Sequence, residues 1–494
     1  MIEFSAAEIA AITGGYLSSS AQENPSLTVT SAATDSRECT AGSLFIAKPG
    51  ESSDGHLFVP QAHGRGAVLV LAERPVSATE DGTDFPAVLV PDAVLAMGAL
   101  AAEAVRRIRA AGPLTVIGIT GSAGKTTTKD LLAGMLGAEA PTVAPNGSFN
   151  GEVGVPLTVF RAGLDTRYLI IEMGATKPGH IRYLAELVQP DIGVVLGVGS
   201  AHAGEFGGVE NIAAAKGELF EALPAGATAV FNADDERVAA MRTRTSAGKL
   251  YFTSSTDFRA DDGGILTARD STTTAAGHPD FTVILPNGEA HAVTSPLLGL
   301  HQVTNLLAAA AVGWAVGVPG GRIAEALRTQ QPASRWRMER TERADGVTVI
   351  NDAYNANPES MRAALRTLAE LGGGRRRTWA VLGEMLELGE RSIEEHDLLG
   401  RVVVRLNISK LIVVGDNARA LFNGAVLEGS WGDEALHVPD AAAAEDILRA
   451  EVRPGDLVLF KSSNGAGLRF LGDSFASSGV AASTPVQPGS GTHP

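Results

Sequence analysis

Short, nearly continuous apolar runs alternate along this chain with stretches of helical period. Runs at 43–47, 67–71 and 87–90 predict strands, 94–110 predicts a helix, and Ala111-Gly112-Pro113 reads as a hinge after it. A second series follows at 114–119, 168–172, 192–198 and 227–231. Strands buried on both faces and separated by helices form a parallel sheet. Residues 250–295 change character, and their Thr-rich, Gly-punctuated segments with PNGE at 286–289 predict a hairpin appendage. The run 306–318 predicts a buried helix, because a membrane span needs roughly 20 apolar residues. A third series begins near 330, with strands at 347–351, 378–382, 411–414 and 457–461. Two helix starts are marked there. Asn357 precedes Pro358, an N-cap followed by proline at the first helical position, and Met361, Leu365, Leu368 and Leu371 form the apolar stripe. Ser392-Ile393-Glu394-Glu395 reads as a capping box. From Asp473 the chain turns to Ser, Gly, Pro and Thr and is predicted to be disordered. The pattern predicts an α/β protein of three domains, 1–111, 112–329 and 330–472, with a tail at 473–494.

The strongest chemical signal lies in LTVIGITGSAGKTTT at 114–128. An apolar strand runs into a glycine-rich turn, and a helix follows with Leu131, Leu132, Met135 and Leu136 on its buried side. This order suits a nucleotide triphosphate. Gly121, Ser122, Ala123, Gly124, Lys125, Thr126 and Thr127 form the loop; its N–H groups wrap phosphates, Lys125 neutralises their charge and the Thr126 hydroxyl reaches Mg²⁺. The spacing departs from G-x-x-x-x-G-K-[ST], since the position five before Gly124 is Ile119.

Ligands of an open parallel sheet bind beyond the carboxyl ends of its strands. The polar residues of the second series fall there: the phosphate loop, Glu172 at the end of YLIIE, His202 after 192–198, and Asn232-Ala233-Asp234-Asp235 after 227–231. Lys216 is unusual. It lies four after Ile212 and three before Leu219, on the apolar stripe of its helix. Two readings stand side by side: a lysine snorkelling to the edge of the core, or one converted by CO₂ to a carbamate that ligates Mg²⁺. The third series repeats the geometry. Its strands deliver Asp352, Tyr354, Asn355 and Asn357, then Gly383-Glu384-Met385, and finally Lys461-Ser462-Ser463. Asn357 has a sufficient role as a helix cap, and His396 reads as a solvated helix residue.

Composition narrows the field. The net charge of −16 argues against nucleic acid or an anionic membrane as a partner. A single cysteine, Cys39, excludes an internal disulfide and fits a reducing, cytoplasmic compartment. The N-terminus lacks the basic and apolar regions of a signal peptide.

TGSAGKTTTKD, EMGA at 172–175, GSAHAGEFGGVENIAAAKGE at 199–218, GLHQVTNLLAAAA at 299–311, NDAYNANPESM at 351–361 and LGEMLELG at 382–389 together resemble the Mur ligases. The DAYNANP block is most similar to the branch that adds D-alanyl-D-alanine. The resemblance runs from about Ser31 to Leu471. It implies a small N-terminal α/β domain holding UDP, a central P-loop ATPase-like domain binding ATP, and a C-terminal Rossmann-like domain closing over both. It implies ATP and Mg²⁺ as cofactors, UDP-N-acetylmuramoyl-tripeptide and D-alanyl-D-alanine as substrates, and a monomer. By the same resemblance Glu172, His202 and a carbamylated Lys216 serve the metals. Asn305, Asn232 and His301 contact adenine; Arg337, exchangeable with Arg335, and Asp352 meet the nucleotide. Ser36 and Arg37, with Asp54-Gly55-His56, match the nucleotide-sugar region, and Asn150, Tyr354, Asn355, Asn357 and Lys461 the remaining substrate contacts. Two blocks depart from the family: Gly151 stands where a second Asn is usual, and Lys461-Ser462-Ser463-Asn464 replaces Lys-Gly-Ser-Arg. The alternatives are another amino-acid ligase of this fold, tripeptide-forming or folate-directed, and a GTPase-like switch. The switch lacks a guanine-reading Asn-Lys-x-Asp.

Overall fold

The apolar runs pair into three main sheets. A computed structural model describes residues 1–50, 53–77, 84–199, 203–331, 333–430 and 432–478. Contacts divide the chain into two units, Met1–Thr274 with His278–Ser334, and Ala275–Gly277 with the residues from Arg335 onward.

The first unit holds two of these sheets. The N-terminal one orders its strands Tyr16–Leu17, Ala87–Leu89, Ala67–Ala72, Ser43–Ala47, Ser31–Ala33, parallel except for the first pair. The helix Ala93–Ala111 follows, capped by Asp92, whose Oδ1 accepts from the N–H groups of Val94 and Leu95. Its Met97, Leu100, Ala101, Ala104 and Ile108 recur at helical spacing. They enter one core with Leu44 and Leu71 of the N-terminal sheet and Leu169 and Ile171 of the central one. Ala111-Gly112-Pro113 therefore marks no unit boundary. Arg109 fastens that junction through Asp191, which also accepts from Val116 N–H at 2.7 Å.

The central sheet runs Thr142–Val143, Tyr168–Glu172, Thr115–Thr120, Ile192–Val195, Thr228–Asn232, Gly248–Thr253, Gly263–Thr273, Pro279–Ile284, Ala290–Thr294. It is parallel as far as Gly263–Thr273, and its last two strands are antiparallel. Residues 250–295 are thus no appendage; they extend the sheet. The reason is the alternation of faces: Leu266, Ala268, Phe281 and Val283 point to the core that holds Ile117, Ile170 and Val194. That core is closed by the helix Gln302–Ala315, buried over most of its length. Among the described residues no helix is long and apolar enough to cross a membrane.

In the second unit the strand order is Glu339–Glu342, Thr348–Asn351, Leu457–Lys461, Thr378–Leu382, Lys410–Val414, Ala435–Val438. Only the first pair is antiparallel. The two edge strands escape an apolar-run criterion because an edge is partly solvated; Glu339–Glu342 reads ERTE. Asn357 caps Pro358–Gly372 as expected, its Oδ1 accepting from Ser360 N–H at 2.8 Å. Ser392 caps nothing. It is the first residue of the helix Ser392–Arg405, and Glu395 is buried against Arg362 and Arg391. His396 is buried too, not solvated. The final helix, Leu468–Ser477, runs past the start of the predicted tail, because Phe475 is buried and Asp473 accepts from the indole of Trp336. Residues 479–494 lie outside the described residues.

The helices Ser392–Arg405 and Arg419–Glu428 meet at Gly400 and Gly424, where a Cβ would run into the carbonyl oxygens of Leu421 and Asp397. Alanine at position 400 gains about 1 kcal/mol of helix propensity. Overpacking against rigid backbone costs about 1–3 kcal/mol. Gly400→Ala is therefore expected to lower the unfolding free energy in urea melts; an unchanged or raised midpoint would show that the helices part freely.

Candidate active site

Thr115–Thr120 lies between Tyr168–Glu172 and Ile192–Val195, so the chain leaves it in opposite directions. This is the switch point of a parallel sheet, where a crevice opens beyond the carboxyl ends. The phosphate loop fills that position. Gly121 (φ 157°) and Gly124 (φ 83°) adopt backbone conformations that L side chains resist. A Cβ on Gly124 would strike Asn305 Oδ1. Gly124 caps the helix Lys125–Gly137, and no side chain does. The helix therefore presents its positive end to the loop, as anion sites require. Lys125 opens the helix and donates from Nζ to Gly121 O at 2.7 Å.

Beside the loop, Glu172 is wholly buried at the end of its strand. Its Oε2 accepts from Thr126 Oγ1 at 3.0 Å, and its Oε1 from Ser148 Oγ at 2.8 Å and Asn150 Nδ2 at 2.9 Å. Thr126 and Glu172, which the sequence reading assigned to one metal, thus meet, and Asn150, read there as a substrate contact, joins them. Ser148 was missed, because a serine in the irregular segment PNGSFNG carries no periodic signal. Among the described residues no three His, Cys, Asp or Glu side chains converge to cage a metal. One buried carboxylate with hydroxyl oxygens, next to a phosphate loop, nonetheless fits Mg²⁺, which takes few protein ligands and completes its shell with phosphate and water.

Lys216 is buried on Val209–Glu221. Burial, and secondarily the charge of Lys125, pull its pKa down to about 7. His202 lies outside the described residues. The neighbouring Gly199 N–H reaches Ser122 Oγ at 2.9 Å. Asn232 bridges strand ends, donating to Leu196 O at 2.7 Å and accepting from Asp234 N–H. Asn305 donates to Gln302 Oε1 at 2.7 Å and sits against Gly124. Thr127 is buried, whereas Ala123 and His301 are exposed.

In the N-terminal sheet region, Ser36 is buried and donates to Gln61 Oε1 at 2.6 Å. Arg37 is exposed beside Asp35, and their hydrogen bonds hold that carboxyl down to about 2. His56 Nε2 accepts from Glu73 N–H at 3.0 Å while Nδ1 faces Asp54.

The second unit has its own cluster. Asp352 and Lys461 end adjacent strands and pair at 2.6 Å, both buried. Burial pushes the Lys461 pKa down and Asp352 opposes it. Lys461 also donates to Asn355 O at 3.0 Å, and Asp352 Oδ1 accepts from Met338 N–H at 3.0 Å. The Arg337 guanidinium lies 4.4 Å from the centre of the Tyr354 ring. Asn355 is exposed, while Asn357 is engaged as the helix cap. His396 donates from Nδ1 to Ser392 O at 2.7 Å and accepts at Nε2 from Met385 N–H at 2.9 Å. Burial keeps it neutral by lowering its pKa. Ser463 Oγ accepts from Leu386 N–H, so the loop after Thr378–Leu382 is held at two points.

Three family models match in succession: "Mur ligase family, catalytic domain" over 28–106, "Mur ligase middle domain" over 119–313, and "Mur ligase, glutamate ligase domain" over 336–464. The UDP-N-acetylmuramoyl-tripeptide--D-alanyl-D-alanine ligase of Mycobacterium tuberculosis strain H37Rv is 45% identical over 511 residues, 96% of this chain and 98% of the relative. The crystal structure of MurF from Acinetobacter baumannii superposes with a TM-score of 0.83 at 29% identity, covering 96% of this chain and 99% of that one. MurF ligase from Thermotoga maritima in complex with ADP gives 0.75 at 27% identity, covering 91% and 97%. With three matched domains and a relative aligned along nearly its whole length, the chain belongs to the Mur ligase family, in the D-alanyl-D-alanine-adding branch.

Proposed function

We propose that this ATP-dependent ligase joins the terminal carboxyl of UDP-N-acetylmuramoyl-tripeptide to the amine of D-alanyl-D-alanine through an acyl phosphate made at the phosphate loop. The observation that carries the reading is the buried Glu172 carboxylate beside that loop, gathering Thr126, Ser148 and Asn150 around it. A carboxylate oxygen of the tripeptide attacks the γ-phosphorus of ATP, the bond to the β–γ bridging oxygen breaks, and ADP leaves. The D-alanyl-D-alanine amine then attacks the acyl carbon, phosphate departs with the electron pair, and the ammonium proton passes to solvent. Lys125 neutralises the outer phosphates, and Thr126 and Glu172 would hold Mg²⁺, which when bound would offset charge on the transferring phosphoryl group. His202 and a carbamylated Lys216 would hold a second metal. Asn305, Asn232 and His301 line the adenine side, and Arg337 and Asp352 meet the nucleotide from the third domain.

Work divides among 1–111 for the UDP-sugar through Ser36 and Arg37, 112–329 for ATP, and 330–472 for closure, with Tyr354, Asn355 and Lys461 on its substrate-facing edge. The switch reading is disfavoured by Asp234, whose carboxylate accepts from Thr253 and Ser254 in place of a guanine.

ADP release is expected to require UDP-N-acetylmuramoyl-tripeptide together with D-alanyl-D-alanine. If a UDP-dipeptide and a free diamino acid serve instead, the branch assignment fails. Lys125→Ala should cut ligation by about 10²–10³-fold, the range for losing one charge-stabilising donor. Its melting curve should match wild type; near-normal turnover would sink the phosphate-loop role.

For Lys216 the sign follows from its lowered pKa. Above pH about 7 the folded-state amine is largely neutral, and only that form adds CO₂, its nitrogen bonding the carbon as a proton leaves. Below that pH the ammonium form prevails and the carbamate is lost. Activity should fall in CO₂-free buffer near pH 6 and return with bicarbonate at pH 8. Lys216→Ala should be inactive, with partial recovery in short carboxylic acids. Full activity of wild type without CO₂ at both pH values would reject the carbamate.

A further inference from the structure

The donors around the buried Glu172 carboxylate are unevenly shared between its two oxygens. Oε1 accepts twice, from Ser148 Oγ at 2.8 Å and Asn150 Nδ2 at 2.9 Å, whereas Oε2 accepts from Thr126 Oγ1 at 3.0 Å. Asn150 Nδ2 also donates to Ser148 Oγ at 3.2 Å, which turns the serine hydrogen toward Glu172. A carboxylate offers about four lone-pair sites, two on each oxygen. Ser148 and Asn150 therefore take both sites of Oε1. A buried carboxylate needs hydrogen-bond donors, but it does not need them on one oxygen.

The segment that carries these two donors lies outside helix and strand, yet it is fastened at both ends. Pro145 O accepts from Lys129 Nζ at 3.1 Å, on the phosphate-loop helix. Asn150 O accepts from Gly174 N–H at 2.8 Å, just past Glu172. The Asn150 amide lies against Gly174, where a Cβ would stand 2.8 Å from Oδ1. The helix that supplies Thr126 and the strand end that supplies Glu172 therefore also place Ser148 and Asn150. Oε2 is left facing Thr126. Mg²⁺ takes near-octahedral oxygen ligands at about 2.1 Å, so adjacent ligands stand about 3 Å apart. Thr126 Oγ1 and Glu172 Oε2 are 3.0 Å apart. Ca²⁺ is larger, takes more ligands, and readily uses both oxygens of one carboxylate.

We propose that Ser148 and Asn150 are positioning residues that set the ion preference of this site: by occupying Glu172 Oε1 they restrict the carboxylate to one-oxygen ligation through Oε2, beside Thr126, which suits Mg²⁺ and disfavours Ca²⁺. Groups that orient a metal ligand from behind govern affinity nearly as much as the ligand itself. The inference rests on the reading of Thr126 and Glu172 as the residues that would hold Mg²⁺. It goes beyond that reading by giving Ser148 a task and by committing the Asn150 amide hydrogens to the carboxylate and the serine.

The test uses the full-length protein with ADP and measures bound Mn²⁺ by electron paramagnetic resonance, with Mg²⁺ and Ca²⁺ as competitors. In Ser148→Ala and Asn150→Ala the Mn²⁺ and Mg²⁺ affinities are expected to fall about tenfold, the lower end for losing an outer partner of a metal ligand, while that of Ca²⁺ stays within about twofold because the freed Oε1 becomes a second ligand. Ser148→Thr, which keeps the hydroxyl, should restore the preference for Mg²⁺. Wild-type preference in both folded alanine variants would overturn the proposal. An equal loss for all three ions would overturn it too, because a general loosening of the site predicts that. If melting curves show Ser148→Ala unfolded, Asn150→Ala decides. Wild type that binds Mn²⁺ with ADP but fails to ligate the stated substrates would fault the ligase reading alone, and the ion preference would still decide this inference. Wild type that binds no Mn²⁺ with ADP would overturn it together with the metal site on which it rests.

Discussion

The parallel pairing of Thr115–Thr120 with a neighbour on each side is the constraint on which the first unit's chemistry depends. It aligns three carboxyl ends at one edge and opens the crevice there. The glycine loop can turn at that edge because Gly121 and Gly124 take conformations other residues resist, and the helix that follows is thereby aimed at the ligand. Glu172 arrives on the next strand within hydrogen-bond reach of Thr126, forty-six positions earlier in the chain. A shift of one residue in that register would turn Glu172 to the opposite face of the sheet.

Charge burial gives the site its character. Glu172 is removed from water and held by three side-chain donors. Lys216 is buried too, and that burial, with the charge of Lys125, pulls its pKa down to about 7. Lys461 keeps a carboxylate partner in Asp352 and donates to Asn355 O as well. The same Asp352 carboxylate accepts from Met338 N–H, next to Arg337. The same burial explains His396, whose neutral ring links a helix to the Met385 loop.

Apolar runs predicted the central strands well because a strand covered on both faces must be apolar throughout, as 378–382 and 457–461 illustrate. The criterion failed where that condition lapses. Glu339–Glu342 is charged, and the 250–295 region alternates, so the first went unseen and the second was taken for an appendage. A complete capping motif did not by itself guarantee a cap. Asn357 with Pro358 held, whereas Ser392 resembled a cap but follows the short turn Gly389–Arg391.

The sequence by itself determined the phosphate loop, the central strands and their helices, and the family, because these are written in contiguous residues and short spacings. It also put Glu172 and Lys216 in suspicion, since a charge within an apolar period is visible locally. Only the tertiary structure decided their partners. Ser148 joining Glu172, His396 reaching Met385, and Lys129 and Asp130 holding Ser334 across more than two hundred residues are long-range meetings of ordinary polar side chains. No local period encodes such meetings, because they arise when separate elements pack and their buried polar groups must find one another.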